Sequence, residues 1–347
     1  MSEGKSEGAG FGKRVFGSLL ADLYLPYDRG MGHAIESTVS AVKKLSPNAE
    51  NILDLASGPG EPGCTLAKSF PNAAVICSDG AQAMVDLATQ RATEKGLHNV
   101  TTMLLDLTDL SALPTASQDV VTINFAISHI DNPQGALKEI HRVLKPNGVL
   151  CGTIWQSFSV PVLANLVVTE LLGEAPNPPP IDKMRFGDSS SLLDREFSET
   201  GFLMLDGHNT TGEIIFDMGP INGDYLAWKS VLISHLSKLE EMEAAGDSTI
   251  RERAEVTVQS LAKEKGWIQD GNMKLPGTFR SFCLARVDAD DADRAAVAAA
   301  SDPDILNRIA ASVDPNDTAG LEAQAAVASF AALSDELDSL LLNDDSD

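Results

Sequence analysis

Basic residues, aromatic residues and long apolar runs are all scarce in this sequence. Its 347 residues hold 26 Lys and Arg against 50 Asp and Glu, which gives a formal net charge of −24 at pH 7, and only 5% are aromatic. A surface of this charge repels phosphate backbones, whereas nucleic-acid binders need a basic stripe that releases counterions. The composition therefore argues against DNA or RNA as a partner.

Membrane, secretion and metal signals are also missing. The longest nearly uncharged apolar stretch spans residues 160–172, shorter than the roughly 20 residues of a bilayer-crossing helix. The first ten residues, MSEGKSEGAG, do not resemble a signal peptide. The four cysteines contain no C-x-x-C pair, and the six histidines share no metal-site spacing. We expect a cytoplasmic protein with neither a membrane span nor a metal.

The acidic charge is concentrated in the C-terminal sixth of the chain. Residues 288–347 hold fifteen Asp and Glu against two Arg, in an Ala-rich context. Apolar residues recur there at helical spacing, which indicates acidic amphipathic helices that dock on the body or on a protein partner; a mostly disordered tail is the alternative. We predict an N-terminal helical entrance segment at 1–50, a main domain at 51–287, and this helical tail at 288–347.

Short apolar strands alternate with helical patterns from residue 51 to residue 155. This alternation is typical of β-α-β units, and it predicts a doubly wound α/β sheet with ligands at the carboxyl ends of its parallel strands. Strands are predicted at 51–55, 74–77, 101–105, 119–124 and 149–155, and helices near 62–69, 81–95 and 134–144.

A glycine-rich loop follows the first predicted strand. Gly58 and Gly60 permit a tight strand-to-helix turn that leaves room for a ligand. With Gly63 they form G-x-G-x-x-G, a spacing that also occurs in loops that only turn the chain. Asp79 ends the second strand, where a carboxylate can accept hydrogen bonds from the two hydroxyls of a ribose. Together these residues indicate a nucleoside site.

Two further acids bear on the charge of the ligand. Asp54 lies at the start of the glycine turn, where it would repel a pyrophosphate and attract an ammonium or sulfonium group. Asp106 ends the third strand, where it could accept from an adenine amine. Each aspartate alone is equally consistent with a turn or a helix cap. Their joint placement after three strands favours a cationic nucleoside.

The segment 53–60 (LDLASGPG), Asp79, Asp106 and the segment 136–150 (ALKEIHRVLKPNGVL) resemble class I S-adenosylmethionine-dependent methyltransferases, particularly the ubiquinone/menaquinone-biosynthesis branch. Weaker similarity extends over about residues 15–287. The resemblance implies a Rossmann-like, mostly parallel seven-stranded sheet with helices on both faces, S-adenosyl-L-methionine as cofactor, and a small-molecule methyl acceptor. The chain has Ala56 and Asn147 where the family usually has glycine.

Roles for individual residues follow from this resemblance. Asp79 would hold the ribose, Asp106 and Leu107 would face the adenine, and residues 124–126 would lie beside the sulfonium methyl. Met84 could pack on the adenine, although a methionine at helical spacing is also typical of a core. The predicted cofactor-binding set is Asp54, Ala56, Ser57, Gly58, Gly60, Asp79, Gly80, Met84, Asp106, Leu107, Asn124, Phe125 and Ala126.

Two residues are candidates for catalysis. His129, just beyond the fourth strand, lies where a general base could reach the acceptor, with a structural histidine as the alternative. Tyr27 would cover the cofactor, with a packed N-terminal helix as the alternative. The insert at 156–194 is rich in apolar residues and is expected to cover an apolar or aromatic acceptor.

Two other functions are compatible with parts of this pattern. An NAD(P)-dependent oxidoreductase is favoured by the glycine spacing and Asp79 but opposed by Asp54. A non-catalytic cofactor-binding scaffold would act through the acidic tail at 288–347. Methyl transfer by in-line displacement accounts for more of the motifs than either alternative.

Overall fold

The computed structural model of the chain describes residues 27–130, 132–173, 196–205, 210–221, 226–232 and 235–287. Three predicted segments lie outside the described residues: residues 1–26 of the entrance segment, residues 174–194 of the insert at 156–194, and the tail at 288–347. The helical tail and its protein contact therefore stay predictions.

One twisted sheet organises the described part of the chain. Its strands are β1 (Asn51–Leu55), β2 (Ala74–Asp79), β3 (Val100–Leu104), β4 (Gln118–Asn124), β5 (Leu144–Phe158), β6 (Phe202–Met204), β7 (Thr211–Pro220), β8 (Ile268–Gln269) and β9 (Asn272–Arg286). The main path has the strand order β3-β2-β1-β4-β5-β9-β6, and β7 and β8 also pair with β9. Strands β1 to β5 are parallel to one another, whereas β9 runs antiparallel between β5 and β6.

Helices cover both faces of this sheet. They are α1 (Gly32–Leu45), α2 (Gly63–Ser69), α3 (Gln82–Glu94), α4 (Pro133–Val143), α5 (Ser159–Leu172), α6 (Leu226–Val231), α7 (Leu236–Ala244) and α8 (Ile250–Glu264), with a 3-10 helix at Ile127–His129. Helices α1, α2 and α3 share one apolar cluster with β1 and β2, and α4 shares another on the opposite face. The doubly wound, mostly parallel α/β fold is thereby confirmed; within the described residues the sheet has nine strands, seven of them in its main path.

Local sequence explains where α4 begins and why the irregular start of β5 accepts an asparagine. Asn132 caps α4, because its side-chain oxygen accepts a hydrogen bond of 2.9 Å from the Gly135 amide, and Pro133 occupies the first turn. Asn147 has a φ of 62°, in the left-handed region that asparagine tolerates better than most residues. The departure from glycine at this position is therefore compatible with the turn.

A third apolar cluster, which we call the apolar lobe, lies at the carboxyl end of β5. It joins α5 to β7, to α6, α7 and α8, and to the first half of β9. The sequence predicts that the N-terminal segment and the insert at 156–194 cover the acceptor; in the structure, α5 of the insert shares its core with Tyr27 and also with residues of β7, α6, α7, α8 and β9. None of the helices in the described residues has both the length and the apolar character needed to cross a bilayer.

Candidate functional site

The glycine loop between β1 and α2 has an unusual backbone. Ala56, Gly58 and Gly60 all have positive φ, at 50°, 53° and 102°. A Cβ on Gly63 would lie 2.3 Å from the Cys77 sulfur, so a glycine is required where α2 begins against β2. The loop therefore turns sharply at the carboxyl edge of the sheet while α2 packs closely on its neighbour strand.

Strain at Ala56 leads to a prediction about stability. Ala56→Gly is expected to raise the free energy of unfolding by about 1 kcal/mol, because left-handed backbone costs a non-glycine residue roughly 1–2 kcal/mol and the freer unfolded chain of the variant offsets part of the gain. Denaturant unfolding measures this difference. Ala116, at φ 51°, is the matched control outside the loop. A loss of stability in Ala56→Gly alongside a gain in Ala116→Gly would contradict the strain assigned to Ala56.

Asp79 ends β2 and is fixed by the backbone around it. Its Oδ2 accepts from the Gly58 amide at 3.0 Å, and its Oδ1 accepts from the Ala81 amide at 2.9 Å. Burial raises the pKa of this carboxyl, although the hydrogen bonds from the Ala81 and Gly58 amides oppose the shift. A carboxylate has about four acceptor positions, so each oxygen can still receive one hydroxyl. The arrangement fits a vicinal diol such as that of a ribose.

Asp54 supports the loop from inside the protein. It is fully buried, its Oδ2 accepts from the Gly63 amide at 2.8 Å, and its Oδ1 accepts from the Thr122 hydroxyl at 2.7 Å. Burial raises the pKa of Asp54 to about 7. The sequence placed Asp54 against the charged part of the cofactor, whereas the contacts in the structure are with α2 and β4. The contact of Asp54 with the cofactor stays a prediction.

Other residues of the predicted cofactor set lie along the same edge of the sheet. The Ser57 amide donates to the Ser78 carbonyl at 2.8 Å, which joins the loop to β2. Asp106 stabilises its own turn, because its Oδ1 accepts from the Thr108 amide at 3.0 Å and from the Thr108 hydroxyl at 2.7 Å. Met84 is buried on α3, Leu107 is half-buried, and Gly80 follows β2 directly.

The end of β4 carries an aromatic wall that the sequence did not identify. Phe125, at φ 58°, stacks on Trp155 with ring centroids 3.9 Å apart, and Trp155 stacks on Phe158 at 4.3 Å. Asn124 precedes this stack, and its Oδ1 accepts from the Thr38 hydroxyl at 3.0 Å. Ala126 is half-buried beside it. The tryptophan at the end of predicted strand five was the signal available for this wall.

The two candidate catalytic residues lie on different elements of the structure. Tyr27 is buried, with its ring 6.4 Å from that of Phe158 and 5.4 Å from that of Phe216. His129 ends the 3-10 helix that follows β4, at the carboxyl edge of the sheet. Both residues therefore lie at the same end of the sheet as Asp79, Tyr27 on the side of the apolar lobe.

Asp28 links the entrance segment to the glycine loop. Arg91 of α3 donates to both of its carboxylate oxygens, at 3.0 and 2.6 Å, and the Arg91 guanidinium also lies 3.8 Å from Glu61 of the loop. Glu61 in turn pairs with Lys95 and accepts from the Thr65 amide. Residues 27 and 28 thus connect the apolar lobe to α3 and the loop.

The Asp28–Arg91 pair is expected to stabilise the protein by about 1 kcal/mol, since it is bidentate and its side chains are only 20% and 21% exposed. A double-mutant cycle of Asp28→Asn and Arg91→Leu, followed by denaturant unfolding, measures this coupling. The pair of Arg251 and Glu243, at 41% and 39% exposure, serves as control and should give a smaller value. Equal coupling energies in the two pairs would contradict the larger stabilisation expected for the Asp28–Arg91 pair.

Comparison with known proteins supports the family resemblance that the motifs indicate. Residues 52–148 match the sequence model of a family described as a methyltransferase domain. The chain is 31% identical over 108 residues to the ubiquinone/menaquinone biosynthesis C-methyltransferase UbiE of Desulfotalea psychrophila, covering 30% of this chain and 42% of that protein. It is 36% identical over 116 residues to the demethylmenaquinone methyltransferase of Clavibacter sepedonicus, covering 33% and 45%.

Solved structures give a similar but weaker likeness. A putative methyltransferase of Bacillus halodurans is 17% identical with a TM-score of 0.47, over 74% of this chain and all of that one. The chain spans less than half the length of the two curated relatives named above. The methyltransferase-domain match at residues 52–148 and the names of these two relatives agree with the motifs, so the resemblance is confirmed as a similarity to the ubiquinone/menaquinone branch.

Proposed function

We propose that the protein transfers the methyl group of S-adenosyl-L-methionine to a small molecule. The observation that carries the proposal is Asp79, held by the Gly58 and Ala81 amides at the edge of the sheet with acceptor positions left for two hydroxyls. The match of residues 52–148 to a methyltransferase domain supports it. The same match does not favour an NAD(P)-dependent oxidoreductase or a non-catalytic scaffold.

The cofactor, when bound, supplies a methyl group already activated by a sulfonium charge. The chain's own work is to bind, to align and to exclude water. Asp79 holds the ribose, the backbone at Gly58 and Gly60 admits the methionine part, and residues 106 and 107 flank the adenine. Residues 124–126 border the methyl group. Asp54 keeps the loop in shape through its bonds to Gly63 and Thr122.

The acceptor in this proposal is apolar or aromatic. The stack of Phe125, Trp155 and Phe158 lies at the end of β4 and β5, and the apolar lobe continues from it. Rings of this kind favour planar apolar ligands. Tyr27 closes the site from the entrance segment, and His129 is the proposed general base for an acceptor that must lose a proton.

We further propose that the protein works in the cytoplasm and that its acidic tail at 288–347 contacts a protein partner. Four cysteines without disulfides support a reducing compartment. The helical apolar spacing of the tail supports a docking role.

Isothermal titration of the full chain with S-adenosylhomocysteine tests the cofactor, and we expect saturable binding. Reduced nicotinamide cofactor, followed by fluorescence, is the matched negative ligand. Incubation of cell extract with the protein and methyl-labelled S-adenosylmethionine, followed by mass spectrometry, identifies the acceptor. Failure of both S-adenosylmethionine and S-adenosylhomocysteine to bind would refute the proposal.

A further inference from the structure

Three buried polar atoms without partners lie on residues at or beside the carboxyl end of β4. Within the described residues, Asn124 Nδ2, Ser128 Oγ and Thr153 Oγ1 are buried and make no hydrogen bond. Asn124 ends β4, Ser128 lies in the 3-10 helix that follows, and Thr153 is the register neighbour of Asn124 on β5. Native proteins rarely leave such groups unpaired, because each then loses its hydrogen bonds to water without gaining others. Three of them around one strand end indicate a ligand.

The amide of Asn124 is oriented by the fold. Thr38, buried on α1, donates its hydroxyl proton to Asn124 Oδ1 at 3.0 Å, and the same hydroxyl oxygen lies 3.2 Å from the Ala34 carbonyl. The carbonyl end of the amide therefore faces α1, and the amino end is left with two N–H groups to donate. The group that would satisfy these donors is an oxygen acceptor.

The aromatic wall lies next to this donor. Phe125 follows Asn124 directly and stacks on Trp155, which is two residues beyond Thr153 on β5. Phe125 has a left-handed φ of 58°, a backbone conformation that is unfavourable for a residue other than glycine. A hydrogen-bond donor beside stacked rings matches a planar molecule that carries an oxygen.

We propose that Asn124 is a specificity-determining residue that selects the methyl acceptor by donating a hydrogen bond to its hydroxyl or carbonyl oxygen. The inference rests on the proposed function and assigns Asn124 to the acceptor rather than to the cofactor. In the transfer, the acceptor atom bonds to the methyl carbon, the carbon–sulfur bond breaks with its electron pair left on sulfur, and an acceptor that must lose a proton gives it to His129, the proposed general base. Asn124 fixes the direction of approach.

Equilibrium dialysis of the full chain with 1-naphthol and 1-fluoronaphthalene tests this assignment, with and without S-adenosylhomocysteine. The two probes have nearly the same shape, but fluorine is a poor hydrogen-bond acceptor. We expect the wild type to prefer 1-naphthol by about tenfold, the ratio that one hydrogen bond of ordinary strength gives. Asn124→Leu should bind both probes alike. Thr38→Val should lose part of the preference and Thr38→Ser should keep it.

Gln118→Leu is the matched control, because Gln118 has a buried amide oxygen without a partner at the opposite end of the same strand. It should keep the wild-type preference. A wild type without preference, or an Asn124→Leu variant that retains it, overturns the inference. Weakened S-adenosylhomocysteine binding in Asn124→Leu also overturns it, since the amide would then serve the cofactor. Failure of the wild type to bind S-adenosylhomocysteine counts against the proposed function, and the dialysis without it still tests Asn124.

Discussion

Asp79→Ala is expected to weaken the binding of S-adenosylhomocysteine by about 10- to 100-fold, or about 1–3 kcal/mol. The variant removes the acceptor of two ribose hydroxyls and leaves them to face a buried surface. It also frees the Gly58 and Ala81 amides, so the loop loses its attachment to β2. Titration calorimetry at a single pH measures the affinity, and denaturant unfolding measures the accompanying loss of stability.

A matched aspartate separates these two effects. Asp119 lies at the other ends of the strands, where its Oδ2 accepts from the Asn51 amide at 2.9 Å and from the Glu50 amide at 3.1 Å. Asp119→Ala should cost stability in a similar way but leave cofactor affinity within about twofold of the wild type, since no cofactor contact is proposed there. If the two variants weaken binding equally, Asp79 does not hold the ribose.

Asp54→Asn is expected to change how stability depends on pH. The raised pKa of about 7 means that between about pH 4 and pH 7 the folded protein holds a proton on Asp54 that the unfolded chain has released. Stability contributed by this proton is present at low pH and is lost as the pH rises through 7. The difference is on the order of 4 kcal/mol for about three pKa units. The neutral asparagine avoids the buried charge, so the variant should be the more stable protein at pH 8.

The measurement is denaturant unfolding of wild type and variant at pH 4 and at pH 8. Asparagine can keep both contacts, because its oxygen accepts from Gly63 and its amino group donates to Thr122. Asp54→Ala is the control that loses both contacts, and it should be less stable than Asp54→Asn at each pH. Parallel pH profiles for the wild type and Asp54→Asn would show that the carboxyl titrates normally.

The five parallel strands were predictable because each is a short apolar run. The helices between them were predictable because a helical pattern separates one run from the next. The signal for β7 was also present, since residues 212, 214, 216 and 218 alternate as buried positions. The β8–β9 hairpin turns at Asp270-Gly271, both at positive φ, which is a strong short-range hairpin signal. How the apolar lobe packs was not predictable, because its partners lie far apart in sequence.

Within the site, strand ends were easier to predict than side-chain surroundings. Asp79 could be located because it closes an apolar strand. The burial of Asp54 could not, because its partner Thr122 is 68 residues away and a five-residue strand does not reveal which face is covered. The pairing of Asp28 with Arg91 spans 63 residues and has no local signature. The unpaired amide of Asn124 becomes visible only when β4, β5 and α1 are assembled.

The neighbouring side chains of Tyr27 and Asp28 tie two parts of the molecule together. Tyr27 packs between Phe158 and Phe216, and Asp28 pairs with Arg91 beside the loop. Because a single peptide bond joins the two residues, a displacement of one displaces the other. A substitution that loosens the aromatic packing of Tyr27 should therefore also weaken the Asp28–Arg91 pair.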